Sequence, residues 1–164
     1  MKIYDNIREI VRDDMLTTIS RGSRVSVAAA CFSMYAYKEL KKQLDSVDEF
    51  RFIFTSPTFT TEKASRAKRE FYIPRLSRET SLYGTEFEIK LRNEMTQKAI
   101  ARECADWIRK KATFKSNITG ENMGGFMTIN APAEQVAYMP LGGFTTVDIG
   151  CERGNNSYNM VNRS

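Results

Sequence analysis

The apolar segment from Arg24 to Phe32 (RVSVAAACF) constrains the fold more than any other part of this chain, because no charge follows its first residue. Such a run is typical of a strand buried on both faces of a sheet. The pattern next predicts a helix from Tyr35 to Leu44, and the alternating residues Phe50–Thr55 (FRFIFT) predict a second strand. A strand, a helix and a strand in this order indicate a parallel βαβ unit, so the fold class is α/β.

Helices and strands are also predicted on both sides of this unit. Asp5 can cap a helix from Asn6 to about Ser20, in which apolar residues recur at helical spacing. After Gly84 the residues TEFE form a capping box, which predicts a long helix from about Glu86 to Lys111. Glycine and proline then separate four strand candidates, which are Thr113–Ile118, Gly125–Ile129, Gln135–Met139 and Phe144–Ile149. We expect a mixed, largely parallel sheet flanked by helices.

The length of 164 residues predicts a single domain that spans residues 1–164. Charged residues interrupt the N-terminal segment MKIYDNIREI, which therefore does not resemble a signal peptide, and no apolar run has the length of a membrane span. The three cysteines, Cys31, Cys104 and Cys151, form no CxxC pair and fit free thiols in a reducing compartment. These features predict a cytoplasmic protein that does not associate with membranes.

The chain contains no histidine, and this excludes several classes of reaction. Catalytic triads and Cys/His pairs need a histidine base, so neither can be assembled. No Gly-Lys pair occurs, and without one there is no Walker phosphate loop to hold a nucleotide. We expect no metal site and no cofactor within these residues.

Basic residues are the best candidates for binding a partner. On the predicted long helix Lys98, Arg102 and Arg109 fall nearly opposite the apolar face that Ile100, Cys104, Trp107 and Ile108 form. Several dispersed cations suit the phosphates of a nucleic acid. The alternative is a solvated helix face, because acidic residues are interspersed and can form ion pairs. The complete predicted set is Lys98, Arg102, Arg109, Lys110, Lys111, Lys115, Arg66 and Arg69.

A second hypothesis is a metal-dependent nuclease. Glu86, Glu88 and Lys90 (EFEIK) contain an E-x-K motif, which in many nucleases places a carboxylate on a divalent ion and a lysine near the attacked phosphate. That chemistry needs the motif on a strand beside another acidic residue. The capping box instead favours the first turns of a helix, where glutamates ordinarily interact with the helix dipole.

Residues 69–117 and the strand order over most of the chain resemble the phospholipase D-like domain at the N-terminus of bacterial Swi/Snf-type helicases of superfamily two. The wider superfamily carries H-x-K on one strand and a G-S-x-N-F-T-like segment after the next. Here GGFMTIN (Gly124–Asn130) and LGGFTTVDIG (Leu141–Gly150) correspond to these two segments. The first has lost its histidine and its lysine.

The resemblance implies a phospholipase D-like α/β fold without the phosphodiester chemistry, because that reaction uses histidine as nucleophile and general acid. It implies a degenerate active-site strand and loop at Gly125, Met127, Gly142 and Thr145. It also implies an accessory domain that binds nucleic acid, DNA more than RNA, or docks a partner for a helicase motor farther along the parent protein. ATP and Mg²⁺ are expected only in that motor, and a homodimer is a further alternative.

Overall fold

A seven-stranded sheet forms the centre of the computed structural model, which describes residues 1–56, 94–152 and 160–164. Its strands are β1 (Lys2–Tyr4), β2 (Arg24–Ala29), β3 (Glu49–Phe54), β4 (Ala112–Ser116), β5 (Phe126–Asn130), β6 (Gln135–Met139) and β7 (Val161–Arg163). They lie in the order β1-β7-β6-β5-β2-β3-β4, so the apolar strand β2 is internal, as its sequence predicts. The α/β class is confirmed.

The sheet is mixed, and the prediction that it is largely parallel is wrong. Among the strands that the structure describes, only β2 with β3 and β3 with β4 pair in parallel, whereas β5 pairs antiparallel with both β2 and β6. The chain passes directly from β5 to β6 through residues 131–134, and so short a connection can join only antiparallel neighbours. The two terminal strands, β1 and β7, which the sequence pattern did not predict, add another antiparallel pair.

The first two predicted helices are shorter than the sequence pattern predicts. Those in the described part of the chain are α1 (Val11–Thr18), α2 (Met34–Glu39), α3 (Lys41–Leu44) and α4 (Glu94–Lys111). Ser33 caps α2 by accepting hydrogen bonds from the amides of Tyr35 and Ala36, and a break at Leu40 divides the single helix that was expected into α2 and α3. The predicted start of α4 at Glu86 lies outside the described residues.

The predicted start of α1 at Asn6 is wrong by five residues. Asp5 does accept hydrogen bonds from the amides of Ile7 and Arg8, but these amides belong to a separate turn. Asn6 has a φ of 55°, which is not helical, and its side-chain oxygen accepts a hydrogen bond from the amide of Val11. The side chain of Asn6 therefore fixes the first residue of α1.

The core lies between the sheet and the helices. Ile100, Cys104, Trp107 and Ile108 are all buried, which confirms the predicted apolar face of α4. The Trp107 ring lies 4.9 Å from that of Phe50 on β3, and its Nε1–H donates to the carbonyl of Leu44 at 2.9 Å. Phe32, Phe52 and Phe114 extend this aromatic core along the sheet.

The sheet has two different faces. Phe50, Phe52 and Phe54 of β3 point to the core under α2 and α4, while Arg51 between them is exposed. α1 lies on the same side of the sheet as α2 and α4, because the Asp14 carboxylate accepts a hydrogen bond from Tyr138 of β6. Among residues 1–56, 94–152 and 160–164, no helix covers the opposite face.

Asp14 also ties the two ends of the chain together. Its carboxylate accepts from the Tyr138 hydroxyl at 2.6 Å and from Nε of Arg163 at 2.7 Å. Arg163 lies on β7, and its Nη2 also donates to Glu134 at 2.9 Å. Within the described residues, no helix is long and apolar enough to span a bilayer.

Candidate functional site

The loop after β6, which contains the predicted residues Gly142 and Thr145, lies against the carboxyl end of β2. The amide of Ala30 donates to the carbonyl of Gly142 at 2.9 Å, and the amide of Phe144 donates to that of Cys31 at 2.8 Å. Phe144 and Phe32 form a parallel bridge beside these bonds. The backbone thus brings the segment Leu141–Gly150 alongside β2, the strand that precedes α2.

Gly125 packs directly against this loop. A Cβ atom added at Gly125 would lie 1.8 Å from the carbonyl oxygen of Leu141 and 3.3 Å from that of Ala28. The amide of Leu141 also donates to the carbonyl of Gly125 at 3.0 Å. No side chain, and therefore no histidine, fits at residue 125 in this backbone arrangement.

Thr145 closes the loop by a local turn instead of continuing as a strand. Its Oγ1 donates to the Asp148 carboxylate at 2.5 Å and accepts from the Asp148 amide at 3.1 Å. The predicted strand Phe144–Ile149 is therefore wrong, since these local hydrogen bonds compete with a strand ladder. Asn6 reaches this turn from the other side and donates to the carbonyl of Asp148.

Gly125, Gly142 and Thr145 are thus brought to one place, but Met127 is not. Met127 is fully buried between the partners of its register, Val27 and Tyr138, on the helix-covered face. Among the described residues, no three acidic or cysteine side chains are placed to hold a metal ion.

The exposed side of α4 carries three of the predicted cations in one row, which we call the α4 ridge: Lys98, Arg102 and Arg109. At 1.5 Å per residue, Arg102 lies about 6 Å and Arg109 about 16 Å along the axis from Lys98. Arg109 forms an ion pair with Asp106 at 3.2 Å. Both side chains of this pair are more than half exposed, so the pair contributes little energy and can be exchanged for a phosphate.

The other predicted cations do not join the α4 ridge. Lys111 donates to the carbonyl of Val47 at 2.8 Å, which anchors the end of α4. Lys110 borders a pocket of about 370 Å³ whose lining carries both cations and carboxylates, among them Asp45 and Glu103. Lys115 lies on β4 and points to the uncovered face of the sheet.

Five predicted residues cannot be placed in the structure. Arg66 and Arg69 of the basic set, and Glu86, Glu88 and Lys90 of the E-x-K motif, all lie outside the described residues.

The uncovered face of the sheet is a surface that the sequence analysis did not single out. We call it the open sheet face and define it by Ser26, Ala28, Arg51, Ile53, Lys115 and Phe126, which border a groove of about 460 Å³. The strand register places Lys115, Ile53, Ala28 and Phe126 side by side across four strands. The alternation in FRFIFT was the available signal, because it places Arg51 and Ile53 opposite the buried phenylalanines.

Comparison of the chain with protein-family models, with curated proteins and with solved structures finds no match. Its geometry is therefore the basis for the proposals that follow.

Proposed function

We propose that this chain is a non-catalytic, phospholipase D-like domain that binds nucleic acid, DNA in preference to RNA. The observation that supports the proposal most directly is the α4 ridge. Its three cations are exposed on one side of an 18-residue helix, and Trp107 and Ile108 fix the opposite side in the core. A row of cations on a rigid helix binds a phosphate backbone with a small loss of conformational entropy.

The proposed lack of phospholipase D-type cleavage rests on the residues at the degenerate motif. Phosphodiester cleavage in the superfamily that the chain resembles needs a histidine, and this sequence has none. The backbone of Leu141 occupies the space that a side chain at residue 125 would need. What remains is a scaffold that can hold a nucleic acid without cutting it.

The biological setting that we propose is an accessory role for an ATP-dependent helicase motor. The resemblance to the N-terminal domain of Swi/Snf-type helicases supports this setting. ATP and Mg²⁺ belong to the motor in this arrangement, and the domain contributes affinity for the substrate on which the motor moves. Docking of a partner protein and self-association are compatible with the same role.

The α4 ridge can be tested by replacing its cations. We expect Lys98→Ala, Arg102→Ala and Arg109→Ala, combined in one variant, to weaken binding of a 20-base-pair duplex at least tenfold, measured by fluorescence anisotropy at low salt. Each lost phosphate contact should also reduce the slope of log K against log salt by about 0.9.

Lys42→Ala is the matched control, because Lys42 is an exposed cation on α3 and does not belong to the ridge. The control should bind as the wild type does, and circular dichroism should show that both variants are folded. If the triple substitution left binding unchanged, the α4 ridge would not be the binding surface. If the wild type showed no salt-dependent binding, the proposed function itself would be refuted.

A further inference from the structure

The open sheet face has a trough along β2. Beyond Arg24 at its start, β2 places Ser26 and Ala28 on this face, and both are small. The neighbouring strands carry Arg51 and Ile53 on one side and Phe126 on the other. Since adjacent strands lie about 4.8 Å apart, the two walls are separated by about 10 Å between backbones. A planar group can therefore approach the sheet between them.

One wall of the trough is aromatic. The Phe126 side chain is 38% exposed, although it belongs to a strand whose neighbouring residue, Met127, is fully buried. Its neighbour across the hairpin, Met139, is 49% exposed. An exposed ring at the edge of a groove is available to stack on a base, and such stacking is tolerant of sequence.

The other wall is basic. Arg51 is exposed, and its Nε and Nη2 donate to Ser26 Oγ at 3.2 and 2.9 Å. These bonds hold the guanidinium over the trough and leave further N–H donors for a second acceptor. Lys115 and Arg24 add positive charge at either end, against the single carboxylate of Glu49. In the described part of the chain, no ion pair engages Arg24, Arg51 or Lys115.

From these observations we infer that the open sheet face binds a single-stranded nucleic acid, with a base on Phe126 and phosphates at Arg51 and Lys115. The face spans four strands, or about 14 Å, and sheets of this width stack two or three bases in known binding modes. A duplex does not satisfy this surface, because its bases are already stacked on each other and do not offer a face to Phe126.

This surface is distinct from the α4 ridge. Trp107 and Ile108 pack α4 against the core face of the sheet, so the ridge and the open sheet face lie on opposite sides of the molecule. The inference goes beyond the proposed function, since the ridge engages a backbone of either form whereas the open sheet face selects unpaired bases.

The test uses the full 164-residue chain and a fluorescent dT12 strand. We expect Phe126→Leu to weaken dT12 binding about tenfold through the loss of one stacked base, with no change in the salt slope. Phe126→Tyr should restore the affinity. Arg51→Gln combined with Lys115→Gln should reduce the salt slope by about 1.4, as two phosphate contacts on a single strand require.

Two control variants separate these effects from general ones. Ile7→Ala removes an apolar side chain that is 57% exposed elsewhere, and Lys42→Gln removes a cation on α3. Both should leave dT12 binding unchanged. Each variant is also titrated with a duplex, for which we expect Phe126→Leu to bind as the wild type does.

The possible results distinguish this inference from the proposed function. If dT12 binds equally well to Phe126→Leu and to the wild type, the open sheet face is not the site, even where the α4 ridge variant still loses duplex affinity. If Phe126→Leu lost affinity for dT12 and for the duplex by the same factor, the inference would also be overturned. If a poly-glutamate peptide binds with a dependence on Arg51 and Lys115 but not on Phe126, the surface recognises acidic protein segments instead. The absence of any nucleic-acid binding would refute both proposals.

Discussion

Cys104 shows how position in the fold changes the chemistry of a single residue. It lies on the buried face of α4, with a relative exposure of 3%. Burial disfavours the charged thiolate and raises the pKa of Cys104 from 9.0 to about 12. Because the thiolate is the reactive form, Cys104 is inert in the folded protein. Cys31 and Cys151 are half-buried and flank the loop that follows β6.

We expect iodoacetamide at pH 8.5 to modify Cys104 last among the three cysteines. Its raised pKa leaves very little thiolate at this pH, and its surroundings exclude the reagent. Peptide mass spectrometry after timed labelling measures the order. In denaturant all three cysteines should react at similar rates, and early labelling of Cys104 in the native protein would contradict its placement in the core.

The same shift affects stability at high pH. An acid whose pKa is raised by folding is held neutral, so its contribution to stability is complete below the unfolded value of 9.0 and declines as the pH rises toward 12. The pKa of the Tyr138 hydroxyl is raised in the same direction, first by burial and then by its hydrogen bond to Asp14. Folding therefore favours the neutral form of both groups, and their ionisation in alkaline solution lowers the stability of the folded protein.

At the level of elements, backbone contact holds the start of the loop after β6 against β5. The Leu141 amide donates to the Gly125 carbonyl, and the Leu141 backbone lies too close to leave room for a Cβ atom at residue 125. Gly124, one residue earlier, has no atom within 4 Å of the position of a Cβ. Neither glycine is among those with a positive φ, so steric contact is the difference between them.

We expect Gly125→Ala to lower the free energy of unfolding by about 3 kcal/mol or more, because the new methyl group must displace backbone and not a flexible side chain. Gly124→Ala is the matched control, and we expect it to change stability by less than about 0.5 kcal/mol. Urea unfolding followed by circular dichroism measures both. Equal stability of the two variants would show that the loop does not pack against β5 in this way.

At the scale of the whole molecule, the two ends of the chain complete one edge of the sheet. β7 lies between β1 and β6, so β1 is attached to the sheet only through β7. Arg163 on β7 also donates to Asp14, which in turn accepts from Tyr138. The N-terminal strand, α1 and the C-terminal strand therefore depend on one another.

Ending the chain after residue 159 should remove this edge. The truncation leaves β1 without a partner strand and Asp14 without its arginine, and loss of a half-buried charge partner is costly. We expect a loss of about 2–4 kcal/mol in the free energy of unfolding, seen as a lower urea midpoint. Met160→Ala, at a residue that is 55% exposed, is the control for the region. A truncated chain that is as stable as the control would contradict the pairing of β7.

The local features of this protein follow from its sequence alone. An unbroken apolar run predicted β2, alternation predicted β3, and helical spacing predicted the buried face of α4, because each pattern depends on residues within one element. Glycine and proline punctuation predicted β6. The missing histidine excluded histidine-dependent catalysis by these residues, whatever the fold.

The tertiary structure decided how these elements combine. Pairing direction depends on neighbours distant in sequence, and the short strands β1 and β7 have too few residues to show a period. The cations that appear as one basic group in the sequence separate into the α4 ridge, a carbonyl anchor at Lys111 and the open sheet face at Lys115. Local spacing fixes which way a side chain points from its own element, but only packing decides which side of the sheet that element occupies.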